Sequence, residues 1–257
     1  MITQVKKRFA VFPVSALFLF SSSCVSYHPV VKYETSVIET SSASVVAEDS
    51  VFASKIAPYK SEMNKEMNQV LAVSERAMMK DLPEGLLGNF SADAVLKISK
   101  KICKDSCSVD MCVLNNGGLR APLPAGNITK YDVFSLMPFE NEIIVLTMNG
   151  DAVKELLDFI ANKGGMPVSG VKMKIQNQMA VEAFIGDKEF DPKKSYNVVT
   201  SDYLAFGGDN MTFFANATHK RNLNKKIRDA IIDYLVDENK NGNKINVKKD
   251  GRIQHSK

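Results

Sequence analysis

Four rhythms of apolar and polar residues succeed one another along the chain. The first is a solid apolar run, Phe9 to Phe20, directly behind Lys6, Lys7 and Arg8. Its 12 residues fall short of the roughly 20 that a membrane-spanning helix needs. A positive start, a short apolar stretch and the small residues Ser21, Ser22 and Ser23 predict a signal peptide over 1–23. The second rhythm, residues 25–50, mixes Ser, Thr and Val without a helical period, and predicts a tether over 24–50.

The third and fourth rhythms share the remainder, 51–257, which is of a size for one domain. Apolar residues spaced three and four apart predict helices. These fall at Ser61–Lys80, at a segment capped by Ser91 with Ala94, Val95, Ile98 and Ile102 on one face, and at a short helix from a Thr129 cap to Met137. A longer one is "DAVKELLDFIAN" behind the Asn149-Gly150 turn, with Val153, Leu156, Leu157 and Ile160 aligned. The last, Leu223–Val236, aligns Ile227, Ala230, Ile231, Tyr234 and Leu235. Short apolar runs predict strands at Val109–Asn115, Glu142–Met148, Val171–Ile175, Val181–Ile185 and Tyr196–Thr200, two of them joined as a hairpin. No internal repeat is present. Strands interleaved with helices and hairpins predict a mixed α/β fold, a single layered domain with mixed sheets rather than a strict parallel repeat.

Composition changes this picture little: 45% hydrophobic and 24% charged residues are ordinary for a globular protein. The formal charge of +4 comes from the leader cluster and the lysine-rich tail from Lys240 to Lys257, so nothing predicts a nucleic-acid polymer as partner. Cys24 matters more. After small residues it resembles the lipid-bearing cysteine of a bacterial lipoprotein, although Ser21 stands where that signal usually has leucine. The expectation is a lipid anchor on Cys24 in the cell envelope, on the periplasmic or outer-surface side; the plainer alternative is a secretory peptide with an incidental cysteine. Cys103, Cys107 and Cys112 are odd in number and cannot all pair. Half-buried thiols are the first reading, one disulfide the second, a metal site the last.

Catalytic chemistry is hard to find. The histidines are His28 in the tether, His219 in a polar stretch and His255 in the tail, too scattered for a zinc or two-metal site. "DENKNG" (Asp237–Gly242) opens like a calcium loop, but Lys248 occupies the twelfth position where a glutamate is required, so it reads as a helix end and a turn. There is no Gly-x-Ser-x-Gly elbow. No catalytic residue and no resident metal are expected. Binding is left.

Three stretches suggest what is bound. "NNGGLR" (Asn115–Arg120) ends a predicted strand with Gly117 and Gly118, where the backbone can approach a ligand, and with Arg120, a planar fork of donors suited to phosphate. "MPFEN" (Met137–Asn141) displays Phe139 behind Pro138. "YLAFGGDN" (Tyr203–Asn210) sets Tyr203 ahead of Asp209. Two facing rings make a slot for a flat heterocycle, since base–aromatic stacking contributes about 1–3 kcal/mol per base. Asp209, on a loop freed by Gly207 and Gly208, can accept hydrogen bonds from a sugar diol.

With "NNGGLRAPLPAGNITKYDVFSLMPFENEIIVLTMNGDAVKELLD", "VSGVKMKI", "YNVVTSDYLAFGGDN" and the closing "GRI", the order and spacing resemble the C-terminal, substrate-binding domain of the 5′-nucleotidase family, from about Leu86 to Ile253. The resemblance implies that Phe139 and Tyr203 sandwich the base, that Asn115 and Asn141 make polar contacts beside it, and that Asp209 holds the ribose. It further implies that Gly117 and Gly118 shape the loop and that Arg120 engages phosphate. There are departures. Asn116 stands where the family has another glycine, and Asp81, beside Lys80, stands near the place of an upstream arginine that reaches phosphate. No segment reads as the family's two-metal phosphoesterase domain with its Asp-x-His and Asn-His-Glu/Asp motifs. The implied partners are a nucleotide or nucleoside and a separate metallophosphoesterase subunit that brings the divalent metals.

Overall fold

The computed structural model describes residues 32, 35, 36, 49–104 and 106–256. The predicted signal peptide, Cys24 and His28 lie outside the described residues, and Ser50–Lys257 forms one compact unit. Its first part runs α1 (Ser50–Met67), β1 (Val70–Ser74), α2 (Leu86–Cys103), β2 (Met111–Val113), β3 (Gly126–Thr129), α3 (Lys130–Leu136), β4 (Glu142–Asn149) and α4 (Gly150–Asn162). The second part runs β5 (Val168–Ser169), β6 (Val171–Gln176), β7 (Met179–Ile185), β8 (Lys188–Glu189), β9 (Ser195–Ser201), α5 (Asp202–Ala205), β10 (His219–Lys226), α6 (Ile227–Lys240) and β11 (Ile253–His255).

The fold is mixed α/β. A five-stranded sheet in the order β10-β4-β9-β2-β5 forms its middle, with only β2 and β9 parallel. Its inner strand β4 is apolar on both faces because both are covered. Along β4, Ile143 and Val145 join one buried cluster with residues of α2, α3 and α6, while Ile144, Leu146 and Met148 join a second with α4 and the four-stranded sheet β11-β6-β7-β8. A continuous apolar run is what a strand with two covered faces requires. On α4, Val153, Leu156, Leu157 and Ile160 are all fully buried, each contributing about 1.5–3 kcal/mol relative to exposure. Asn149 caps that helix, its side chain accepting from the Ala152 N–H at 2.9 Å. Thr129 caps α3 in a capping box with Asp132.

Several elements differ from the sequence expectation, most of them because a distant partner outweighs a local signal. The predicted helix Ser61–Lys80 divides: α1 stops at Met67, and Val70–Ser74 is a strand paired antiparallel with β3. Helix α2 begins at Leu86, five residues before Ser91, which lies fully buried inside it; its cap, Gly85, has no side chain to advertise it. The last helix starts at Ile227 because Leu223–Lys226 continues β10 along β4 through a bulge at Asn224, whose φ is 51°. His219 and His255 lie on strands β10 and β11.

The cysteine expectation is corrected as well. Cys103 and Cys107 form a disulfide and Cys112 is a buried thiol. Cys103 ends α2, and the Ser106 and Cys107 N–H groups both donate back to its carbonyl, a turn that sets the two Cα atoms 4.7 Å apart. Burial pushes the Cys112 thiol pKa up, with Asp93 adding to it, which keeps it an uncharged core group.

Candidate functional site

Three loops meet at one edge of the five-stranded sheet, and the strand order makes them meet. β2 and β9 are parallel neighbours, Cys112 opposite Val199, so their C-terminal ends share an edge. β4 runs antiparallel to β9, Ile143 opposite Ser201, so it starts at that same edge. Asn115, Gly117 and Gly118 follow β2, Phe139 and Asn141 precede β4 or abut its start, and Tyr203 and Asp209 follow β9. Crevices beyond the carboxyl ends of strands are a recurrent place for ligands in α/β sheets. These seven residues line one cavity of about 330 Å³, at the small end of the range for small-molecule sites.

Both rings are half open. Phe139 keeps 41% of its surface exposed and Tyr203 48%, whereas Phe90 and Phe214 keep 1% or less. The Tyr203 ring lies on Gly208: a Cβ at that position would come within 2.6 Å of ring atoms Cε1 and Cζ. A side chain there would displace the ring.

Asp209 is held by both its oxygens. The Tyr203 hydroxyl donates to Oδ1 at 2.8 Å and Asn115 Nδ2 donates to Oδ2 at 2.6 Å. The loop reaches this position through left-handed backbone at Gly207 (φ 95°), Asp209 (φ 53°) and Asn210 (φ 65°), which Gly, Asp and Asn tolerate best. The Asp209 carboxylate, accepting from the Tyr203 hydroxyl, raises the Tyr203 pKa above 10. Gly117 and Gly118 have no positive φ; their role is close approach. A Cβ on Gly118 would stand 2.7 Å from Asn115 Oδ1, pushing away the amide that holds Asp209.

Arg120 is not brought to the cavity lining. It is exposed, its Nη1 donates to the Gly117 carbonyl at 3.4 Å, and its backbone N–H donates to Leu136. Lys80 reaches the same loop, Nζ to the Asn116 carbonyl at 3.4 Å, and Asn116 donates to Gly165. Asp81 pairs with Lys249 instead. The link from Asn115 to Asp209, 94 residues apart, leaves no local signal in the sequence. Among the described residues no group of three or more His, Cys, Asp or Glu side chains could hold a metal ion.

Two half-exposed rings, a tethered carboxylate and a glycine loop thus share one strand-end cavity. The family model described as 5′-nucleotidase, C-terminal domain, matches residues 67–216, and the chain belongs to that family. It is similar to the trifunctional nucleotide phosphoesterase protein YfkN of Bacillus subtilis, 30% identical over 187 residues that cover 65% of this chain and 12% of that protein. It is also similar to the 5′-nucleotidase of Vibrio parahaemolyticus, 28% identical over 205 residues covering 74% of this chain and 34% of that one. The chain thus spans about a third or less of the length of these relatives. In fold it resembles the 5′-nucleotidase precursor of Thermus thermophilus, with a TM-score of 0.65 at 23% identity over 80% of this chain and 43% of that structure.

Proposed function

We propose that this protein is the nucleotide- or nucleoside-binding half of a 5′-nucleotidase-type phosphohydrolase, serving nucleotide catabolism together with a separate metallophosphoesterase chain. One observation carries the reading: Phe139 and Tyr203, both half exposed, line the same cavity with Asp209 beside them. A base stacks on the rings, with Asn115 and Asn141 near its edge, and the ribose diol donates to Asp209 in place of one of its present donors. The phosphate extends past Gly117 and Gly118 toward Arg120. The partner supplies metals and attacking water; this chain supplies orientation, a large share of the barrier in intramolecular reactions. A lipid on Cys24 holds the protein in the envelope, and the Cys103–Cys107 disulfide fits an oxidising compartment.

The test is phosphate release from nucleoside monophosphates in the presence of zinc, manganese or magnesium. The chain alone should release none above background, and adding the cognate phosphoesterase chain should restore turnover. Metal-dependent hydrolysis by the single chain, lost on substituting one of its own residues, would prove this reading wrong. A second reading is a stand-alone nucleoside- or purine-binding surface lipoprotein, favoured by the position of Arg120 outside the lining. It predicts equal affinity for a nucleoside and its monophosphate, and no co-purifying phosphoesterase.

A further inference from the structure

Phe139 stands between α3 and β4 on a segment that is neither helix nor strand. Three consecutive residues at the β10–α6 junction grip that segment. Lys226 pairs with Glu140 Oε2. The Ile227 N–H donates to the Asn141 carbonyl at 2.9 Å. Arg228 donates through Nη2 to Glu140 Oε1 at 2.5 Å, and through Nη1 to the Phe139 carbonyl at 3.5 Å. Its side chain is only 7% exposed, with the guanidinium carbon 4.1 Å from the centroid of the Phe134 ring. The hydrogen bonds from Lys226 and then Arg228 pull the Glu140 carboxyl pKa down to about 2, so Glu140 stays ionised throughout the working pH range.

Neither Arg228 nor Glu140 lines the cavity. We propose that they form a positioning clamp, fixing the backbone on either side of Phe139 so that its ring is presented to the ligand rather than folded onto the protein surface. The clamp rests on the nucleoside-binding reading above. Its chemistry calls for arginine in particular: a planar guanidinium can stack on Phe134 while its fork reaches a carboxylate and a carbonyl at once, and an ammonium group cannot. A buried cation spent on the segment that carries a half-exposed ring orders that segment before any ligand arrives, which lowers the entropic cost of binding.

The full chain, with Glu140→Gln, Arg228→Lys, Phe139→Ala and the double variant Glu140→Gln/Phe139→Ala, is titrated with adenosine, guanosine and uridine. Glu140→Gln should weaken the best-bound nucleoside about fivefold, the coupling expected of contacting groups, and Arg228→Lys should do the same. In the Phe139→Ala background Glu140→Gln should weaken it no further, because the clamp acts through that ring. A second reading needs no ligand. The chain contains no tryptophan, so the indole introduced by Phe139→Trp is a unique reporter, and its fluorescence anisotropy should fall when Glu140→Gln is added, with the melting temperature little changed. Additive losses in the double variant, or unchanged anisotropy in a folded protein, would overturn the clamp. If the wild type binds none of the three nucleosides, the nucleoside reading fails, and the anisotropy still decides the clamp.

Discussion

Tyr203 and Asp209 are joined twice: the Tyr203 hydroxyl donates to Asp209 Oδ1 at 2.8 Å, and the Asp209 N–H donates back to the hydroxyl oxygen at 3.3 Å. One ring of the proposed slot is thereby tied to the carboxylate proposed for the sugar. A ligand that moves either residue moves the other.

This tie has a pH signature. The raised Tyr203 pKa means the neutral phenol, which donates to Asp209, is the form the fold favours. Its contribution is fully present below the unfolded value of about 10 and is lost as pH rises through the higher folded value. Affinity for adenosine, whose base loses no proton in this range, should therefore stay level from neutrality to pH 10 and fall as Tyr203 ionises above it. In Tyr203→Phe that fall should vanish, leaving a flat profile, as titrations across the alkaline range would reveal.

Gly118→Ala tests the glycine loop. The new methyl would meet Asn115 Oδ1 at 2.7 Å, turning the amide away from Asp209. We expect about tenfold weaker nucleoside binding, in line with the loss of a charge-assisted hydrogen bond, at nearly unchanged melting temperature. Asn115→Ala should weaken it to a similar degree, and the two changes combined should cost little more than either. Full additivity in calorimetric titrations would break the proposed route through Asn115.

How much of this was legible beforehand depended on where the signal lay. "EIIVLTM" and "DAVKELLDFIAN" could be read because a twice-covered strand and a one-sided helix write their burial into their own residues. Val70–Ser74 could not, since only pairing with Gly126–Thr129 makes it a strand. Likewise Leu223–Lys226 carries the apolar spacing of the helix that follows, and the ladder with β4 makes it strand. The residues lining the cavity came from ordered motifs and their family resemblance. Their meeting at one edge came from strand order, in which β2 beside β9 is a parallel pairing far apart in sequence. The disulfide is only a second reading of the sequence because two cysteines four apart suggest a continuing helix, whereas the chain turns back at Cys103.

The anchor is tested by metabolic labelling. Labelled fatty acid should enter the wild type and not Cys24→Ala, and the variant should move from the membrane to the soluble fraction. Equal fractionation of both, with label in neither, would end the lipoprotein proposal.

Arg120 separates the two functional readings. Exposed, and among the described residues bonded through its guanidinium to the Gly117 carbonyl alone, it can swing toward a phosphate. With the phosphoesterase partner present, Arg120→Ala should lower turnover about tenfold or more, in keeping with loss of a charged phosphate contact, while nucleoside affinity holds. Equal loss of both would make Arg120 part of the slot itself.

The most direct measurement is a calorimetric titration of the full chain with a panel of nucleosides, run beside Phe139→Ala and Tyr203→Ala. The account predicts one-to-one binding by the wild type and about tenfold weaker binding for each variant, the loss of one stacking ring. Wild-type binding that neither substitution weakens, or no binding of any nucleoside by the folded protein, would contradict it.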